Sequence, residues 1–345
     1  MSEIDIRVEG RAGRITLRRP RALNAVTHDM VRAIRAALPR FAADRGVAVV
    51  VIDAEGERAF SAGGDIASIY EDLTAGRFDR ARQFWRDEYP MNAAIARFPK
   101  PVVSLMQGFT MGGGVGVGCH ASHRIVGETS RIAMPECGIG LVPDVGGSML
   151  LARAPGRMGE YLGLTGARMG PGDAIRAGFA DSFVPEAAWP DLIAALVAEG
   201  DVSLVEAARA DPPEARIEAL RVDEYFGRKK IGDIVRALRE AGDDWARQTL
   251  DTLSQKAPLS MACALELIRA ARDGGGIADA LRREYRFVHR IVEQGDFAEG
   301  IRAAIIDRDT PAAWAHNAPD GADEAEVEAM LAPLGADELE LGETA

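Results

Sequence analysis

Apolar and polar residues alternate at Ile4, Ile6 and Val8, the two-residue period of a strand with one face buried. Residues 14–17 and 47–52 read as further short strands, and between them Met30, Val31, Ile34, Leu38 and Phe41 fall on one side of a helix. A strand over residues 101–106 is followed by glycines at 108, 112, 113, 114, 116 and 118, which read as a tight turn into a buried helix. Residues 101–119 carry no charge, but so many glycines make a poor lipid-facing helix. Strands alternating with amphipathic helices predict a layered α/β fold for the first half. Past about residue 185 the β-branched runs give way to Ala, Arg, Leu and Glu, as over 280–288, which predicts helices. The pattern divides the chain into a core over 1–190, a helical region over 191–318 and an acidic tail over 319–345. No Lys or Arg occurs beyond Arg308, and residues 320–343 read as a weakly ordered, solvated end with at most one short helix.

Charge narrows the function. Against 53 acidic residues the 345-residue chain has 41 Lys and Arg, a net charge of -12. That excludes a general nucleic-acid surface, because such binding depends on cations neutralising phosphates. An anionic ligand would need a local basic patch, and Arg18, Arg19 and Arg21 form one. Cys119, Cys137 and Cys263 are odd in number and widely spaced, which suits a reducing compartment. The acidic, strand-like N-terminus shows neither a signal peptide nor a basic transit peptide, and the chain reads as cytoplasmic with no membrane partner.

The chemistry is concentrated between Arg131 and Arg153. In this apolar, glycine-punctuated stretch the only charged residues are Glu136, in Ala133-Met134-Pro135-Glu136, and Asp144, in Val142-Pro143-Asp144-Val145-Gly146-Gly147. Unpaired buried acids are costly or raise their pKa, so a pair kept there points to catalysis. Helix capping would also explain Asp144, just ahead of a predicted helix start, whereas Glu136 has no helix at hand to cap. Two glycine turns, Phe60-Ser61-Ala62-Gly63-Gly64-Asp65-Ile66 and Met111-Gly112-Gly113-Gly114, each follow a strand and precede a predicted helix. Backbone N–H groups at such positions can bind an anion, and two converging on one oxygen would form an oxyanion hole; each turn alone is better explained by glycines allowing tight turns and close helix packing.

Other motifs fall short. Gly116-Val117-Gly118-Cys119-His120-Ala121 matches a dinucleotide fingerprint, but an earlier glycine run already opens the helix. There is no Walker A lysine, and Ser148 lacks the second glycine of a nucleophile elbow. His120 and His123 lie beside Cys119 without a third candidate ligand, so no metal is expected.

Arg18-Arg19-Pro20-Arg21-Ala22-Leu23-Asn24-Ala25, the two glycine turns, Lys100-Pro101-Val102-Val103 and the window 134–147 together resemble the enoyl-CoA hydratase/isomerase (crotonase) superfamily. The resemblance implies an α/β fold, a crotonase-like spiral of ββα units followed by a mostly helical C-terminal region. It implies an acyl-CoA thioester as partner, with CoA part of the substrate and no separate cofactor, and raises a homo-oligomer. Hydratases of the superfamily carry one catalytic Glu where this chain has Gly116, a second at the position of Glu136, and usually glycine where Asp144 stands. The combination of Gly116, Glu136 and Asp144 resembles the 3-hydroxyisobutyryl-CoA hydrolase branch, as do Phe84-Trp85-Arg86-Asp87-Glu88-Tyr89 and Gln294-Gly295-Asp296-Phe297-Ala298-Glu299-Gly300. The resemblance makes Glu136 and Asp144 the catalytic acids and Gly64 and Gly113 the donors of oxyanion N–H groups. It adds Glu88, Ala62, Gly63 and Gly112 as substrate contacts and Arg21 as a contact to CoA. The implied reaction is hydrolysis of a short 3-hydroxyacyl-CoA, foremost 3-hydroxyisobutyryl-CoA in valine breakdown. A hydratase or isomerase with Glu136 as sole base, and a non-catalytic acyl-CoA-binding protein, are the alternatives.

Overall fold

The computed structural model describes residues 2–217 and 219–341. β1 (Ile4–Glu9) and β2 (Ala12–Leu17) form an antiparallel hairpin with Ile6 opposite Ile15. In α1 (His28–Ala43) the residues picked out by the helical period, Met30, Val31, Ile34, Leu38 and Phe41, are all buried, and Thr27 caps the first turn by accepting from the Met30 N–H. There follow β3 (Val49–Ala54), β4 (Ala59–Ser61), α2 (Ile66–Thr74), α3 (Phe78–Ala96), β5 (Val102–Met106), β6 (Phe109–Met111), α4 (Gly113–Gly118), β7 (His123–Val126), β8 (Arg131–Ala133), α5 (Gly147–Arg153) and β9 (Ser182–Phe183).

From β3 onward successive strands go alternately to two sheets. One sheet has six strands in the order β1-β2-β3-β5-β7-β9, parallel from β2 onward; the other is the parallel trio β4-β6-β8. With helices closing the turns, the chain winds as a spiral of ββα units, and from Trp189 onward it is mainly helical. The large sheet is covered on both faces, as a parallel sheet must be. Val50, Ile52 and Val102 face one apolar cluster that includes α1, whereas Val49, Val51, Val103, Leu105 and Ile125 face a second one built with Trp189, Leu192 and Leu196.

The structure departs from the sequence pattern in three places. β3 spans 49–54 rather than 47–52. β6 separates the strand at 102–106 from the glycine helix, because three residues are too few to show a strand period. The acidic tail is not a solvated end. A capping box between Asp323 and Glu326 opens the helix Glu324–Leu331, and Met330, Leu339 and Leu341 are buried. Arg286 pairs with Glu338 and Arg290 donates to the Met330 carbonyl, so the tail is docked on the helix Ile277–Ile291. Its last residues, 342–345, lie outside the described ones. Among the described residues no helix is long and apolar enough to cross a membrane.

Candidate active site

The two glycine turns meet. Gly63 (φ 115°) and Gly112 (φ 47°) adopt left-handed backbone that an L side chain resists, and the turns approach so closely that a Cβ on Gly113 would lie 3.1 Å from the Gly64 nitrogen. Neither the Gly64 nor the Gly113 N–H is engaged by an acceptor among the described residues. Glu136 and Glu88 approach the same backbone. A Cβ on Gly112 would sit 2.8 Å from Glu136 Oε1, and one on Gly113 would sit 2.9 Å from Glu88 Oε1. Side chains at either position would displace the carboxyls.

These groups line one cavity of about 310 Å³, together with Ala62, Gly63, Phe84, Trp85, Leu141, Asp144 and Lys256. Three carboxyls on its wall are almost wholly buried: Glu88 is 2% exposed, and Glu136 and Asp144 are 4% exposed. β8 ends at Ala133, Pro135 turns the chain, and Glu136 opens a 3-10 turn over Glu136–Ile139 that closes at left-handed Gly140. This turn rests on the helix Gly295–Ile301, where a Cβ on Gly300 would be 2.3 Å from the Ile139 carbonyl carbon. The late Gln294-to-Gly300 motif thus supports Glu136 from behind.

Asp144 does not cap α5. Its side chain turns toward α3, where the Tyr89 hydroxyl donates to Oδ2 at 2.7 Å. The cap is Glu284, from the helix Ile277–Ile291. Its Oε2 accepts from Gly146 N–H (2.7 Å), and its Oε1 accepts from Ser148 N–H (3.0 Å) and the Ser148 hydroxyl. Between cap and acid sits Val145, a β-branched residue at φ 54°, whose carbonyl is bonded by His120 Nε2 at 2.7 Å. Burial lowers the His120 pKa to about 4, so its neutral ring supplies an N–H donor there and is not a free metal ligand. Strain of this kind persists only where neighbours fix it, and here it sets the direction of Asp144.

Electrostatics separates the acids. Burial raises the pKa of Asp144 to about 6, opposed by the Tyr89 hydroxyl and Trp85, which favour its charged form. Glu136 is held well above the ordinary carboxylate range by burial and then by the charge of Asp144; Glu88 is raised for the same two reasons. Glu136 Oε2 and Glu88 Oε1 have no hydrogen-bond partner among the described residues. Asp144 is therefore the acid best supported in its anionic form, and Glu136 and Glu88 keep their protons to higher pH. The set can accept, hold and donate protons around one carbonyl placed at the two glycine amides.

The position of Gly116 is closed: a Cβ there would be 2.6 Å from Asn92 Nδ2 and 2.8 Å from Val145 Cβ. Arg21 stands on the exposed surface outside the cavity wall, in the short 3-10 turn Pro20–Ala22. Arg18 pairs with Glu55, and Arg19 pairs with Glu3 and Asp65, whereas Arg21 has no ion pair among the described residues. Sequence reasoning missed Tyr89, Trp85, Glu284 and Lys256. For the first two a signal existed: Trp85, Glu88, Tyr89 and Asn92 recur at three- and four-residue spacing and are all buried on α3.

Residues 12–331 match the family model described as enoyl-CoA hydratase/isomerase. The chain is 36% identical over 348 residues to a Xenopus tropicalis protein named 3-hydroxyisobutyryl-CoA hydrolase, mitochondrial, with 96% of this chain and 89% of the relative covered. It is similar to a crystal structure of an enoyl-CoA hydratase from Rhodobacter sphaeroides 2.4.1, at 55% identity and a TM-score of 0.94, covering 98% of this chain and 100% of that one. A carnitinyl-CoA dehydratase from Mycobacterium thermoresistibile gives 38% identity and a TM-score of 0.94, covering 99% and 100%.

Proposed function

The chain belongs to the enoyl-CoA hydratase/isomerase family, and from that premise we propose that it hydrolyses the thioester of a short 3-hydroxyacyl-CoA, foremost 3-hydroxyisobutyryl-CoA, giving 3-hydroxyisobutyrate and CoA in valine breakdown. The observation that carries this reading is the pairing of Glu136 with Asp144 in one cavity beside the Gly64 and Gly113 amides.

The thioester carbonyl oxygen lies between those two N–H groups, whose hydrogen bonds strengthen as negative charge develops during attack. Glu136, once ionised, removes a proton from the attacking water or attacks the carbonyl itself to give a mixed anhydride that water then opens. The carbonyl carbon gains an oxygen and the C–S bond breaks. Asp144, oriented by Tyr89, binds the 3-hydroxyl or relays a proton to the departing thiolate. Glu88, whose Oε1 lies beside Gly113, is the proposed further contact for the acyl group. Arg21, the member of its cluster without an ion pair among the described residues, is the proposed contact for CoA phosphate.

The names of the two solved relatives favour a second reading, addition of water to an enoyl-CoA double bond with Glu136 as the base. Weighing against it, syn hydration wants two carboxylates on one water, and the room beside Gly116 is taken by Asn92 and Val145. The discriminating experiment follows thiol release from 3-hydroxyisobutyryl-CoA alongside loss of enone absorbance from crotonyl-CoA. Thiol release without hydration supports the hydrolase; hydration without thiol release supports the hydratase. The three buried thiols support a reducing compartment, which we take to be the cytoplasm.

A further inference from the structure

Lys256 reaches the cavity from a different part of the chain than the acids. It lies just ahead of the helix Pro258–Arg272, and its neighbour Ala257 donates its N–H to the Cys137 carbonyl at 2.9 Å, fastening this segment to the turn that holds Glu136. The half-buried side chain extends along Gly138, where a Cβ would lie 3.5 Å from Nζ. Among the described residues it is the only cationic side chain on the cavity wall, and its ammonium has no ion pair or hydrogen bond. Burial lowers its pKa, and the one ionisable neighbour acting on it is the Cys137 thiol, which Glu136 also faces. An ammonium partly withdrawn from water without an acceptor is costly, which implies an acceptor supplied by the ligand.

We propose that Lys256 binds and positions the pantetheine arm of the CoA thioester by donating to one of its amide carbonyls. This rests on the thioesterase reading. There the reacting carbonyl is held at the glycine amides and the acyl hydroxyl turns toward the carboxyls. The other substituent of the thioester leaves along the wall of Gly138, which is where Lys256 stands. A cavity of about 310 Å³ is far too small for the whole of CoA, so the near amides of the arm, not the phosphates, come within reach of a side chain on its wall.

The test compares wild type, Lys256→Met, Lys256→Gln and Lys256→Arg on the CoA and the pantetheine thioesters of the same 3-hydroxyacyl group, with unfolding midpoints recorded for each. Lys256→Met raises KM about tenfold for both thioesters, the scale of one charge-assisted hydrogen bond, and changes kcat less than about threefold. Lys256→Arg, which keeps a donor, recovers most of that loss; Lys256→Gln carries the test if the Met variant does not fold. A KM effect confined to the CoA thioester would assign the contact to the phosphates and overturn the proposal. So would unchanged kinetics, or a fall in kcat at constant KM. Wild type that releases no thiol from either substrate would overturn the thioesterase reading itself, independently of any Lys256 variant.

Discussion

The Tyr89 hydroxyl donates to Oδ2 of Asp144 at 2.7 Å inside a cavity where two further carboxyls have oxygens without a partner among the described residues. That bond makes Asp144 the acid whose charge the protein supports. A donor to the charged form lowers a carboxyl pKa, so its removal raises it. In Tyr89→Phe the Asp144 carboxyl titrates at higher pH, by about one unit if the bond contributes roughly 1.4 kcal/mol to the anion, as followed by its carboxylate infrared band. An Asp144 titration that stays in place would mean that the Tyr89 hydroxyl does not support its charge.

Glu284 anchors the start of α5 from a helix more than 130 residues away in sequence, accepting from Gly146, Ser148 N–H and the Ser148 hydroxyl. Truncation to Ala strands three buried donors beside the strained Val145 and its neighbour Asp144. Glu284→Ala loses about 2–4 kcal/mol of stability in denaturant titration and at least tenfold in kcat/KM. A variant of wild-type activity would mean that α5 does not orient Asp144.

Glu136 is held neutral by burial and by Asp144. Because its folded pKa exceeds the unfolded one, the folded state binds the extra proton; the stability that this contributes is complete below the unfolded pKa and is lost as pH rises toward the folded value. Glu136→Gln has no such proton. Relative to wild type, its unfolding midpoint therefore rises as pH increases above the pKa of an unfolded glutamate. A flat difference would show that Glu136 titrates as an ordinary carboxylate.

Arg21 is the uncommitted member of its arginine cluster. Arg21→Ala weakens inhibition by free CoA about three- to tenfold at low salt, and the difference shrinks as ionic strength rises. Unchanged inhibition at every salt concentration would remove Arg21 from the CoA site.

Much of this was legible in the chain, for identifiable reasons. Glu136 and Asp144 stood out as the only charges in an apolar stretch, and α1 was plain because Met30, Ile34, Leu38 and Phe41 repeat along one face. The glycine turns announced the close approach of two backbones, although only the fold brings Gly64 to Gly113. Glu284 was invisible: it sits in Arg282-Arg283-Glu284-Tyr285-Arg286, whose charges read as a solvated face, yet it is fully buried. The tail misled for the opposite reason, since Met330, Leu339 and Leu341 are sparse among acids but all reach the core. Lys256 gave no signal, because its place depends on a contact between residues 137 and 257 that no local pattern encodes.

The most direct test of the account is thiol release from 3-hydroxyisobutyryl-CoA by wild type, Glu136→Gln and Asp144→Asn, followed with a chromogenic thiol reagent. The account predicts rapid release by wild type and a fall of at least about a hundredfold in kcat for each variant, with both still folded, as removal of an acid-base group costs. Variants that release thiol at the wild-type rate would contradict it, by placing the chemistry outside the cavity in which these two acids meet.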